Sequence, residues 1–302
     1  MNQLSNAQES QFNHTNYSEE LTAFTKDWQD EEHIEALLNF IAPQVPVSRR
    51  FEYKKADNDQ MFYSEQDDLR AQGCSFKRIE FQGQTVQSKT LNKGLTIRVD
   101  VDDVVGTDWQ ERYVHLLMKR LYRNELRRAI TALKENAQRV EKTWDAGSTP
   151  DKDVRECLLQ SANTYGFYPN RILMGELAWY QRQDCYHSQG DTSSHLIAEL
   201  SREKLAEKLL VDEIKLLRKQ HLGVQGHEIQ GNEIFAFFTQ NGLLKDEPSH
   251  LKRFVTPMEG EKLFRVYVEE HAKFTDITVE HYSNLVVTSS DGITQIDIKT
   301  QA

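Results

Sequence analysis

The chain has 302 residues, 38% of them apolar and 28% charged, and a formal net charge of −10. That length holds one large or two small domains. The acidic balance argues against a nucleic-acid-coating role, which needs clustered Lys and Arg. The three cysteines (Cys74, Cys157, Cys185) show no Cys-x-x-Cys spacing, so no disulfide framework is expected and a reducing cytoplasm is the natural compartment of synthesis. No apolar run is long enough to span a bilayer, and the polar start MNQLSNAQES lacks the apolar segment of a secretory signal.

Residues 1 to about 20 are rich in Asn, Gln, Ser and Glu and read as a flexible arm. Apolar residues at Leu21, Phe24, Trp28, Ile34, Leu37, Leu38 and Ile41 predict one helix or two short ones, and Pro43 and Pro46 then force an extended path. Residues 48 to 75 are polar and weakly patterned. From Phe76 to Asp102 the pattern predicts an extended β-hairpin. Ile79 and Phe81 lie on the first strand; Leu95, Ile97, Val99 and Val101 alternate on the second; the polar stretch Gly83 to Gly94 forms the tip.

A long amphipathic helix is predicted from about Thr107 to Trp144, with Thr107 as N-cap and Gln110 at capping-box spacing. At 1.5 Å per residue it would span roughly 54 Å. Its basic residues Lys119, Arg120, Arg123, Arg127, Arg128, Lys134 and Arg139 lie off the apolar stripe; they form either a solvated face or contacts to acidic groups on adjacent copies. Pro150 opens a helix from Asp151 to Tyr165, Arg171 to Met174 is a short buried strand, and Gly175 leads into a helix holding Leu177, Ala178 and Trp179. Ser201 caps Arg202 to Leu210. Strands are expected at Glu213 to Arg218, Glu233 to Phe238, around Phe264 to Val268 and at Ile277 to Val279. The segments Leu285 to Thr288 and Ile293 to Ile298 flank Asp291-Gly292 as a closing hairpin.

The chain carries no phosphate loop, nucleophile elbow or zinc-protease helix. Asp100, Asp102 and Asp103 could hold a divalent cation, with Asp100 and Asp102 on one face of a strand; an exposed face or one opposite a partner's basic groups is the favoured reading. Cys185, His187 and His195 have zinc-competent atoms, but no fourth ligand is evident and Asp184 to Ser194 reads as a loop. Lys89 and Lys93 sit in the hairpin tip, either as surface lysines or as contacts to a neighbouring subunit.

Several segments together resemble the major capsid proteins of tailed bacteriophages over about residues 35 to 300. They are Ile41-Ala42-Pro43-Gln44-Val45-Pro46-Val47, the strand Leu95-Thr96-Ile97-Arg98-Val99-Asp100, the long helix after Gly106, and Tyr168-Pro169-Asn170-Arg171-Ile172-Leu173-Met174-Gly175-Glu176-Leu177-Ala178-Trp179. Leu205 to Ile214 and the closing Leu285-Val286-Val287 to Ile293 follow in the same order. The resemblance implies an α+β capsid fold with an N-terminal arm (1–47), an extended loop and spine helix opening a peripheral domain (48–145), an axial domain (146–255) and final strands returning to the peripheral domain (256–302). It further implies self-assembly into pentamers and hexamers of an icosahedral shell around double-stranded DNA. Scaffolding and portal proteins would be partners, assembly would take place in the host cytoplasm, and there would be no membrane, cofactor or catalytic residue. The candidate inter-subunit contacts are Lys89, Lys93, Arg98, Asp100, Asp102, Arg127 and Arg128. An encapsulin-like cargo shell of the same fold, or a metal-dependent α+β enzyme using Asp100, Asp102 and Asp103, are the competing readings.

Overall fold

The computed structural model describes residues 16–26, 30, 32–55, 69–70, 72–76, 84–166, 168–218, 221, 231–242, 244–258 and 262–299. Two short helices open it, α1 (Glu19–Phe24) and α2 (Ile34–Ile41). Ser18 caps α1 by accepting from the Leu21 amide. Pro43 and Pro46 then hold β1 (Gln44–Pro46) extended, as the sequence requires, in an edge position that proline tolerates.

The long helix α3 runs from Trp109 to Asn136, 28 residues or about 42 Å. Gly106, at φ +84°, makes the turn into it, and Asp108 rather than Thr107 is its N-cap. Its buried residues Val114, Leu117, Met118, Leu121, Tyr122, Glu125, Leu126, Ala129, Ile130 and Leu133 follow the three-four spacing of a single stripe. The helix ends eight residues before the predicted limit. Ala137 turns extended, and β5 (Gln138–Thr143) pairs in parallel with β12 (Thr294–Lys299). Val140 and Trp144 are four apart, which satisfies both the helical and the strand period; pairing with β12 decides in favour of the strand.

One sheet has the order β1–β9 (Leu251–Val255)–β11 (Phe274–Val287)–β10 (Phe264–Glu270), with β4 (Leu91–Asp100) also paired to β11. The helix α3 packs on β11 and α2, and this contact forms the larger core. The outer edge of β10 is covered by the N-terminal segment. Ser18 N donates to Val266 O (3.0 Å), and Val266 N donates to Thr22 Oγ1 (3.1 Å).

The second sheet has the order β5–β12–β8 (Glu233–Phe237)–β6 (Arg171–Gly175)–β7 (Glu213–Leu217). Both faces are covered, so β6 and β8 are buried at every position and, after an opening Arg171 and Glu233, read as apolar runs. Leu173, Leu217, Phe235 and Phe237 join the core beneath α3. Ile172, Met174, Ile214, Ile234, Ala236, Ile296 and Ile298 face a second core. Helices α4 (Pro150–Tyr165), α5 (Glu176–Ser188), α6 (Thr192–Ala198) and α7 (Arg202–Leu209) follow around this sheet. Buried Arg182 binds both oxygens of Asp151 (2.6 and 3.1 Å), and Lys208 adds a third contact (2.9 Å), which ties α4, α5 and α7 together.

A third unit is a two-stranded ribbon, β2 (Arg50–Lys55) with β3 (Gln84–Lys89). Phe51 and Tyr53 alternate on its inner face and stack on Phe254, with ring centres 4.5 and 5.3 Å apart. The Lys54 amide donates to Asp246 and Asn284 Nδ2 donates to Lys89 O, so the ribbon is fastened at its root.

Four local expectations are corrected. The stretch Gly83 to Gly94 is not a hairpin tip: Gln84–Lys89 is strand, and its partner is Arg50–Lys55, inside the region read as unpatterned. The alternation of Phe51 and Tyr53 was the signal for it. The predicted first strand around Ile79 and Phe81 lies outside the described residues. The closing pair is not a hairpin either, because β11 and β12 turn at Asp291-Gly292 but enter different sheets. Asp184 to Ser194 is mostly helix, the end of α5 and the start of α6. Asp102 does not continue a strand; Val101–Asp103 is a 3-10 turn.

Candidate assembly surface

The residues singled out in the sequence fall along β4 and the facing side of α3, plus one on the ribbon. Lys93 lies on the side of β4 that faces α3, opposite His281 of β11. Its ammonium is 2.8 Å from Glu125 Oε1 and donates to Ser283 Oγ at 3.1 Å. Glu125 is buried on the apolar stripe of α3, and Arg128 reaches the same oxygen at 2.5 Å. Ser283 Oγ donates to Glu125 Oε2 at 3.2 Å, so it must accept from His281 Nε2 at 3.1 Å, which places the imidazole proton on Nε2. Burial raises the Glu125 pKa, but the Lys93 charge and hydrogen bond, with His281 and Arg128, outweigh it and hold the carboxyl below its usual range. Burial pushes His281 down to about 4 against the pull of Glu125, so it is neutral at pH 7.

The outer face of β4 carries a different set. Thr96 and Thr278 share a hydrogen bond at 2.8 Å. Arg98 grips Asp276 with two bonds (2.8 and 2.7 Å) and lies 3.8 Å over the Phe274 ring. The hydrogen bond from Arg98 is the main reason the Asp276 carboxyl is held low. Asp100 caps the 3-10 turn by accepting from the Asp102 amide at 3.1 Å, and Asp102 and Asp103 are exposed. Lys89 is exposed at the end of β3, directly across from Arg50.

The structure therefore brings Lys93 and Arg128 together on Glu125, places Arg98 and Asp100 at the far end of β4, and leaves Lys89 on the ribbon. Arg127 donates to Asn124, which directly precedes Glu125 on the helix. Lys119 and Arg123 both meet Glu32, and Lys134 meets Glu233 at 2.5 Å. Much of the basic side of α3 is thus answered by carboxylates of its own chain. Glu125, His281 and Ser283 escaped the sequence reading. A glutamate on the buried stripe of a helix is the one sequence signal that marks such a centre.

Two open strand edges bound this surface. Among the described strands, β4 pairs only with β11 and β3 only with β2. Both continue one another through Thr90, whose hydroxyl bonds Thr256 at 2.7 Å.

Among the described residues no group of three or more His, Cys, Asp and Glu is arranged to hold a metal. Asp100, Asp102 and Asp103 do not converge. His187 and His195 do meet, Nδ1 to Nδ1 at 2.9 Å, but Cys185 is buried, and burial pushes its thiol up to about 11. No described helix is long and apolar enough to cross a membrane.

No family model and no curated protein sequence matches the chain. Solved structures do. A phage-related protein from Bordetella bronchiseptica RB50 superposes with a TM-score of 0.66 at 17% identity, covering 93% of this chain and 96% of the other. A candidate capsid protein of an Escherichia coli CFT073 prophage superposes with a TM-score of 0.50 at 11% identity, covering 94% and 99%. The SrpI encapsulin of Synechococcus elongatus PCC 7942 gives 0.46 at 12%, covering 89% of each chain. With its long helix laid across one sheet and a second sheet flanked by helices, the chain has the α+β fold of the tailed-phage major capsid proteins.

Proposed function

We propose that the chain is the structural subunit of an icosahedral viral shell, self-assembling into pentamers and hexamers that enclose double-stranded DNA. The observation that carries this reading is the ribbon β2–β3. It forms a sheet of its own, β3 has no second partner among the described strands, and every described β3 residue is exposed or half-buried. An isolated two-stranded ribbon is marginal in water. Its inner face packs on its own chain, Phe51 and Tyr53 against Phe254, and a neighbour added at the open edge of β3 completes the rest. In this assignment residues 1–47 are the arm, 48–145 and 256–302 the peripheral domain, which holds α3, β4, β10 and β11, and 146–255 the axial domain, which holds β6–β8 and α4–α7; the sheets cross these bounds, since β9 of the first sheet lies in 146–255 and β5 and β12 of the second lie in the peripheral ranges. The protein works by binding copies of itself and carries no reaction. Scaffolding and portal proteins are its partners during assembly in the host cytoplasm, and the virion is its destination. With a net charge of −10 it encloses DNA rather than gripping it.

Sedimentation velocity of the purified protein, followed by nuclease treatment of any particles formed in cells, tests this. The expected result is a fast-sedimenting particle that protects double-stranded DNA. Particles that instead protect a co-expressed protein cargo would move the assignment to a cargo shell, and a monomer at all concentrations, with scaffold supplied, would refute the shell.

A further inference from the structure

Among the described residues, two surface patches of opposite sign have no ion-pair partner, and they lie at opposite ends of one continuous run of strand. The first is on the ribbon. Arg50 and Lys89 are direct cross-strand partners on its outer face. Like charges placed opposite each other across a strand pair repel. Neither has a carboxylate within ion-pair distance among the described residues; Glu52, two residues along the same face, accepts from Gln87 Nε2 at 2.9 Å and keeps its charge, so this end of the ribbon carries two cations beside one anion. The two cations border a depression of about 510 Å³ that also involves Phe51, Glu52, Gln87 and Ser88.

The second patch is where β4 ends. Asp100, Asp102 and Asp103 follow one another around the 3-10 turn, and Glu270 stands on β10 at the adjoining end of the same sheet. None of the four has a cation partner among the described residues; the nearby Arg98 is occupied by Asp276. Val101 and Val105, 53% and 70% exposed, give this turn an apolar centre inside an acidic rim, the usual composition of a contact patch.

The two patches cannot neutralise each other in one molecule. Lys89 and Asp100 are separated by eleven residues of nearly continuous strand, roughly 36 Å at about 3.3 Å per residue, several times the reach of a lysine. We infer that the depression beside Arg50 and Lys89 receives the Asp100–Asp103 turn of a second copy of this chain, as a heterologous contact repeated around the assembly. This rests on the shell reading and names the pair of surfaces that meet. Because the patches differ, each copy offers both halves and the contact propagates from copy to copy. It also answers a difficulty of charge. Copies with a net charge of −10 repel on average, so their encounter needs a local cation patch to direct it.

The test is a charge swap in the full chain, read by light-scattering assembly kinetics and particle yield. Arg50→Glu with Lys89→Glu should slow assembly at least tenfold, and so should Asp102→Lys with Asp103→Lys. The quadruple variant, with both patches reversed, should recover assembly to within a few-fold of wild type. Thermal midpoints should stay unchanged throughout, because all four side chains are exposed. Wild-type assembly should weaken as salt rises. If either double variant assembles like wild type, or the quadruple variant is no better than the doubles, the inference is overturned while the shell reading stands. If the wild type itself never assembles, both fall.

Discussion

The Lys93 ammonium lies 2.8 Å from the Glu125 carboxylate, joining a strand of the first sheet to the buried stripe of the long helix. Arg128 and Ser283 complete the coordination of that carboxylate. Removing one member of a buried pair strands the other charge, at a cost of about 3–5 kcal/mol. Glu125→Ala should therefore lower unfolding stability by about that much, since it leaves Lys93 half-desolvated. Lys93→Met should cost less, about 2 kcal/mol on the same scale, because Arg128 still serves the carboxylate. The double variant Lys93→Met with Glu125→Leu should recover most of the loss. Urea unfolding midpoints at constant slope are the measurement, and a double variant less stable than either single would contradict this account.

Acid should destabilise the fold in two windows. His281 is held at about 4 in the folded chain against an ordinary 6.5, and His250, also buried, at about 3. Between the unfolded and folded values the unfolded chain binds more protons, so stability is full above about 6.5 and is lost as the pH falls toward 4. For His281 the loss is roughly 3 kcal/mol, at about 1.4 kcal/mol per pH unit. Glu125 and Asp276, whose pKa values are lowered, add losses only below the ordinary carboxylate range, as the pH falls through their folded values. Unfolding curves of wild type and His281→Gln from pH 7 to pH 4.5 should diverge, with the variant showing the shallower decline.

The two conspicuous arginine–aspartate pairs should behave differently. Arg98–Asp276 has an exposed arginine, so Asp276→Asn should cost less than about 1 kcal/mol. Arg182–Asp151 is buried on both sides, and Asp151→Asn should cost several times more. Equal effects in thermal unfolding would show that burial does not govern these pairs.

The ribbon should loosen without the body. Phe51→Ala removes a ring that stacks on Phe254 at 4.5 Å, a core truncation of about 3 kcal/mol. Amide exchange should speed up at Gln84–Lys89, while β8, in the second sheet, keeps its protection.

Elements with local signals were legible in the sequence. Pro150 sits in the first turn of α4 and Gly166, at φ +79°, closes it. Ser201 caps α7 by accepting from the Lys204 amide. The start of α3 after Gly106 and the buried run Arg171–Gly175 were equally plain. What escaped was decided at long range. The partner of β3 lies some 35 residues earlier in the chain, and β11 and β12 separate into two sheets although an Asp-Gly turn joins them. The same holds for the polar centre. Lys93 and Arg128 stood out as charged residues near a strand and a helix, but their shared partner is set by packing, and Ser283 reaches Glu125 across 158 positions of sequence.

Negative-stain electron microscopy of the purified protein, alone and co-expressed with a candidate scaffolding protein, tests the central claim most directly. The account predicts closed shells or rings of five and six subunits. A field of single subunits in both preparations would contradict it.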